Sequence, residues 1–255
     1  MGKIVAISMN TFRESIRDRV LYSLIVFSFL MLAFSILLAN ITIGDPIKIV
    51  KDFGLAVISL FGVLITIFVG IGLLYKEMER RTIYVILSKP ITRWQFLLGK
   101  YLGLSITLAV EVFIMTFAFF CLCFYYENII SWELLKAIVP IFFELLLILS
   151  IAIVFSSFSS TFLSGLFTLS IFVIGHFTQD IKILAASNES LFFKKLSQVI
   201  YYILPNLENL NFKARVVHNL PLPYKEIFFS ILYSVVYSIF LLVLAIIIFN
   251  RRNFP

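Results

Sequence analysis

The stretch Lys76–Tyr101, KEMERRTIYVILSKPITRWQFLLGKY, sets a dense charged hinge between two apolar segments, each long enough to cross a bilayer. Lys76, Glu77, Glu79, Arg80 and Arg81 close the apolar run that precedes it, and the apolar YVIL that follows (Tyr84 to Leu87) reads as a short helix on the membrane surface. Ser88-Lys89-Pro90 then breaks that helix, because a residue before proline avoids the helical region. Thr92 with Gln95 three positions on matches a capping box, in which side chain and backbone satisfy each other's unpaired groups at a helix start. The order is therefore span, short helix, proline turn, capped span. A plain stop-transfer charge cluster is the simpler reading, and it leaves the buried YVIL unexplained.

Working outward, the chain has 255 residues, 61% of them hydrophobic and 14% charged, with a mean hydropathy of +1.05. That is more apolar surface than a soluble domain of this size can bury. Apolar runs fall at Val20–Ala39, Leu55–Tyr75, Leu102–Tyr125, Leu134–Phe155, Phe162–Phe177 and Ile227–Phe249. Most reach the ~20 residues that span the hydrocarbon core. The reading is an all-α polytopic membrane protein of six spans, a single transmembrane domain over residues 1–255. The serine cluster SSFSST (Ser156 to Thr161) predicts a hairpin between the fourth and fifth spans. The first apolar run exceeds the about 7–15 residues of a secretory core segment and has no small-residue cleavage pattern, so it stays as a span. Cys121 and Cys123 point to different helix faces and form neither a disulfide framework nor a metal site.

Positive residues mark cytoplasmic loops, and with both termini inside, twelve Lys and Arg fall inside and nine outside. The short outer loops hold only Lys48, Lys51 and Lys136, which favours cytoplasmic N- and C-termini. The net charge of +7 then reflects this retention signal and not nucleic-acid binding. Residues 1–19 read as an amphipathic helix on the inner surface. Val5, Met9, Phe12, Ile16 and Val20 share its membrane face, and Lys3, Asn10, Arg13, Glu14 and Arg17 lie around the opposite side. Gly54, Gly62, Thr66 and Gly70 form a small-residue stripe on the second span, and Gly99, Gly103 and Thr107 form one on the third. Such stripes let helix backbones approach closely in lipid, within one chain or between two. Residues 178–226 are too polar to span. Within them Leu191–Leu204 reads as a membrane-hugging helix with Phe192, Leu196, Val199, Ile200 and Ile203 on one side, ended by Pro205.

No G-x-x-x-x-G-K-[ST] run occurs, so the chain has no P-loop for ATP. His176 and His218 stand alone in sequence, without a local zinc or triad motif, and read as structural. Glu111 and Glu144 are the acids inside spans, where an ionisable group costs a few kcal/mol on insertion scales and faces protein or a wet cavity. Glu111 continues the face of Gly99, Gly103 and Thr107. Glu144 sits one turn beyond Pro140, whose missing donor is expected to kink the fourth span. Either acid could line a substrate path, bind a cation, or simply fix helix register.

The run from Glu77 to Gly103, with its E-x-E-R-R-T-I-Y and L-S-K-P-I-x-R elements, resembles the hallmark region of ABC-2 type transporter permeases. NTFRESIRDRVLY (Asn10 to Tyr22) and ELLLILSIAIVFSSFSS (Glu144 to Ser160) are similar to other parts of that family. The likeness is closest to the subgroup containing the permease for copper-site maturation of nitrous oxide reductase, many of whose members carry a glycine where this chain has Arg81. The resemblance implies an ATP-driven exporter's membrane subunit, non-catalytic itself, in the inner membrane of a prokaryote. It implies a coupling helix within residues 76–93 seated on a separate ATPase, with Glu77, Glu79, Arg80, Arg81, Thr82, Leu87, Ser88, Lys89, Pro90 and Arg93 as its contact residues. It further implies a connecting helix at the N-terminus bearing Phe12, Arg13, Glu14 and Arg17, two permease copies, and an extracytoplasmic re-entrant region within 178–226. This chain would bind no cofactor; ATP and Mg would belong to the partner. The rival reading is a standalone membrane protein, either a secondary transporter relaying protons through Glu111 and Glu144 or an assembly scaffold.

Overall fold

The computed structural model describes residues 2–41, 45–79, 92–129, 131–187, 195, 197–199, 201 and 203–251, with the backbone alone at 73–79, 179 and 185–187. Its helices are α1 (Gly2–Ile16), α2 (Arg19–Ile41), α3 (Pro46–Glu79), α4 (Arg93–Glu127), α5 (Leu135–Ser156), α6 (Thr161–Ser187), α7 (Lys213–Val217) and α8 (Tyr224–Arg251). Six of them, α2 to α6 and α8, are long and apolar enough to cross a membrane. The expected spans are all present. The helices run past their apolar cores, because extending a helix adds a hydrogen bond per residue whereas starting one is costly. Thus α3 continues through Lys76 and Glu77 to Glu79 instead of ending at the charge cluster, and α6 continues ten residues beyond Phe177.

The centre of the bundle is α5 packed against α3, α4, α6 and α8. Its sequence is apolar all round, and Leu145, Leu147, Ile148, Leu149, Ile151 and Ile153 are all buried. A helix without a polar face belongs inside a bundle. The outer helices α2, α6 and α8 keep broad apolar faces exposed, as lipid requires. The fourth and fifth spans do form a hairpin across Ser157–Ser160, and α5 runs through Pro140 without interruption. Cys123 is buried and Cys121 exposed, both as free thiols.

The helix ends follow their local chemistry. Asp18 Oδ1 accepts the Val20 N–H at 3.0 Å, starting α2. Thr92 and Gln95 form the expected capping box, the Thr92 N–H donating to Gln95 Oε1 at 3.3 Å. Asn128 ends α4 in the left-handed conformation and returns its N–H to the Phe124 carbonyl at 2.8 Å. Just before it, Glu127 accepts from Lys51 at 2.5 Å and from the Ser131 hydroxyl at 2.6 Å, tying α3 to the end of α4.

Both glycine stripes pack within the chain. A β-carbon at Gly62 would stand 2.5 Å from Leu145 Cδ1, and one at Gly103 would stand 2.6 Å from the Ser8 carbonyl oxygen. The partner of Gly99 and Gly103 is α1, so the surface helix is packed against the third span. α1 seats a third face, Ser8, Thr11 and Ser15, on α4, and leaves Val5 and Met9 exposed for lipid. The Thr11 and Ser15 hydroxyls allow this because they are satisfied within the helix. Thr11 Oγ1 donates to the Ile7 carbonyl at 2.9 Å and Ser15 Oγ to the Thr11 carbonyl at 2.8 Å.

Between α6 and α8, Leu207, Leu210, Phe212, Val216 and Val217 are buried, and α7 lies against α3 and α5. The expected surface helix within 191–204 falls largely outside the described residues, Phe192, Leu196 and Ile200 included; Val199 and Ile203 are exposed.

Gly103→Val should force α1 off α4, since the obstacle is backbone. We expect a loss of about 1–3 kcal/mol, as for overpacked cores, seen as a lower Tm of the full chain in detergent. Gly72→Ala, where nothing lies within 4 Å, should be neutral or slightly stabilising.

Candidate functional site

Two features carry chemistry, one at each end of the bundle. The first surrounds the ends of residues 80–91. Glu77 and Glu79 lie in the last turns of α3, while Arg80, Arg81, Thr82, Leu87, Ser88, Lys89 and Pro90 lie outside the described residues. The short helix expected there is likewise outside them. The flanking structure is well tied. Arg93, the first residue of α4, donates through Nη1 to the Phe249 and Asn250 carbonyls, each at 2.9 Å. Those are carbonyls of the last turn of α8, left over when the helix ends, and a cation there also meets the negative end of the helix dipole. Phe96 stacks on Phe249, with ring centroids 6.1 Å apart. One turn further along α4, Lys100 is almost fully buried, with its Nζ 3.7 Å from Glu14 Oε2 on α1. Of the proposed connecting-helix residues, Arg13 and Arg17 are exposed and Phe12 and Glu14 half-buried. The N-terminal helix, the return from the charged hinge and the C-terminal helix are therefore clamped together at one end.

The second feature is a half-buried polar cluster that local sequence reading misses. His176 on α6 places Nε2 2.9 Å from Glu144 Oε1 on α5 and Nδ1 3.2 Å from Glu208 Oε2 in the short 3-10 turn Glu208–Leu210. Asn211 Nδ2 donates to both Glu208 oxygens at 3.1 Å. Burial pushes the Glu208 carboxyl up, but hydrogen bonds from His176 and Asn211 outweigh it, so that carboxyl stands below the usual range. The edge-on ring of Phe172, 4.9 Å away, holds the imidazole. His176 and Lys213 form the polar end of a cleft of about 660 Å³ lined by Phe27, Phe53, Phe61 and Phe172. Each partner is 32 residues from His176 in sequence, too far for any motif to connect them. The one sequence-level clue was the rarity of acids within the spans.

The two intramembrane acids thus part company. Glu144 is wholly buried and bonded to His176. Glu111 is buried on α4 with neither oxygen hydrogen-bonded among the described residues, and it does not line the cleft. His218 is exposed after α7. No group of three His, Cys, Asp or Glu suited to a metal occurs among the described residues.

This fold and these placements can be set beside known proteins. The family model described as ABC-2 family transporter protein matches residues 5–254. The chain belongs to the ABC-2 transporter family. No curated protein matches it. Membership makes the chain a multi-pass ABC transporter permease, a family whose membrane subunits are typically non-catalytic and associate with an ABC ATPase. The hallmark stretch and the fourth span lie inside the matched region, as does the N-terminal helix from Val5 onward.

Glu111→Gln should leave Tm unchanged or raise it, because it removes a buried carboxyl that makes no compensating hydrogen bond among the described residues. Glu144→Gln should lower stability by about 1.5–3 kcal/mol, the range for a hydrogen bond to a charged group. Arg93→Ala should cost about 1 kcal/mol and speed amide exchange in the last turn of α8 specifically.

Proposed function

We propose that this ABC-2 permease is the membrane subunit of an ATP-driven exporter, paired with a second permease copy and with two copies of a separate P-loop ATPase that binds ATP and Mg. The observation that carries the reading is the clamp at one end of the bundle. The charged segment 80–91 enters from α3 and leaves through a capped α4, whose first turns are fastened to α1 by Gly99, Gly103 and Lys100 and to α8 by Arg93. A push on that segment reaches α1, α4 and α8 together, because packed helices shift as units instead of deforming continuously. Since the sequence has no nucleotide-binding loop of its own, energy has to arrive from a partner, and this is the place built to receive it. On this reading both termini face the cytoplasm of a prokaryotic cell and residues 178–226 lie on the far side.

Family membership speaks for this reading over a standalone secondary transporter. So does the separation of roles between Glu111 and Glu144, which do not share one hydrogen-bonded network among the described residues.

Co-expression with a candidate P-loop ABC ATPase provides the test. Glu79→Lys, Arg81→Glu or Pro90→Ala should weaken ATPase co-purification at least ~30-fold, the size of a lost interface hot spot, or leave hydrolysis unresponsive to substrate, with membrane insertion intact. Wild-type association and coupling in all three variants would overturn the proposal.

A further inference from the structure

The segment 205–217 is brought onto α6 at one point. Gly175 allows the approach, since a β-carbon there would stand 2.8 Å from Leu207 Cγ and 3.1 Å from the Pro205 carbonyl oxygen. The Leu207 N–H donates to the Gly175 carbonyl at 3.1 Å. The next residue along α6 is His176, whose two ring nitrogens face two different carboxylates.

That geometry has a proton requirement. A neutral imidazole carries one N–H, so it can donate to only one of Glu144 and Glu208; donating to both takes the imidazolium. With both carboxylates ionised, Lys213, which faces His176 and Glu208 from α7, completes a set of two cations and two anions. Among the described residues no other charged group faces the ring. α2 and α3 bring apolar side chains and Ser59 to the cleft, α8 brings Tyr233 to the Asn206 N–H, and Asp180, one turn along α6, is exposed.

We propose that Glu144, His176 and Glu208 form a proton-binding site whose occupancy fastens the 205–217 segment to α5 and α6. When the proton leaves a ring nitrogen for water, a lone pair is left facing a carboxylate oxygen, acceptor against acceptor, in a setting of low dielectric. One of the two contacts must yield. Glu144 is wholly buried and has no water to turn to, whereas the Glu208 side chain is 37% exposed, so the Glu208 contact gives way and carries its segment with it. The sign follows: the stabilisation is present while His176 is charged and is lost as pH rises through its titration. Because the Glu208 carboxyl stands below the usual range, its own contribution persists until strongly acid conditions. The same proton sets the charge at the polar end of the cleft.

Amide hydrogen exchange of the full chain in lipid nanodiscs, corrected for intrinsic rates, tests the site. Between pH 6 and pH 10 the protection of residues 205–217 should fall by about tenfold or more, while residues 145–154 of α5 keep theirs. In Glu208→Gln the amide can accept from a ring N–H or donate to a bare ring nitrogen, so protection of 205–217 should no longer depend on pH. His176→Gln, which has no titrating ring, should lose the dependence as well. Wild-type protection that is flat with pH, a loss shared equally by α5, or a dependence that survives in both variants would overturn the proposal.

Discussion

The structure depends on how closely α3 and α5 approach. In lipid the tails are as apolar as the side chains, so the hydrophobic effect offers little reason for two spans to associate, and packing has to come from close contact. Gly62 and Gly70 supply it. Each lets a leucine of α5, Leu145 and Leu149 respectively, sit against the α3 backbone. With that pair set, α5 is enclosed on every side, and α4, α6 and α8 take their places around it. The same device recurs at Gly99 and Gly103, where the partner is α1, and at Gly175, where it is the segment that returns after α6.

Seen this way, the two ends of the bundle do different jobs with the same materials. At one end small residues and a capping arginine bind α1, α4 and α8 into one body. At the other, a single imidazole joins α5, α6 and a returning loop. The first end is held by many contacts between helices. At the second, one ring whose two hydrogen bonds take a charge adds to the apolar packing of Leu207, Leu210 and Val217 and to the backbone bond between Leu207 and Gly175.

Much of the fold was legible in the sequence because membrane spans write themselves in composition. Twenty apolar residues in a row have few other uses, and the capping pair Thr92 and Gln95 acts within three residues. The serine hairpin and the facing of the two cysteines were legible for the same local reason. The candidate site was legible only in part. Glu144 stood out because acids are rare in spans, but His176 looked isolated and Glu208 unremarkable, and nothing near Arg93 in the sequence pointed to its bonds with the end of α8. The seating of α1 on α4 was not legible, because apolar periodicity ranks helix faces by hydrophobicity. A face of Ser8, Thr11 and Ser15 scores as polar, yet it is buried, with the Thr11 and Ser15 hydroxyls bonded to their own backbone.

By itself, then, the sequence determined the number of spans, their caps and turns, the charged hinge and the lack of a nucleotide loop, all properties carried by neighbouring residues through the backbone's short-range hydrogen bonding and hydropathy. Only the tertiary structure decided that the glycine stripes meet helices of the same chain, that Arg93 caps α8, and that Glu144, His176 and Glu208 are one cluster. Those contacts join residues from 32 to 157 positions apart. Which of them meet is set by helix rotation and close packing, and neither leaves a mark on any short window of sequence.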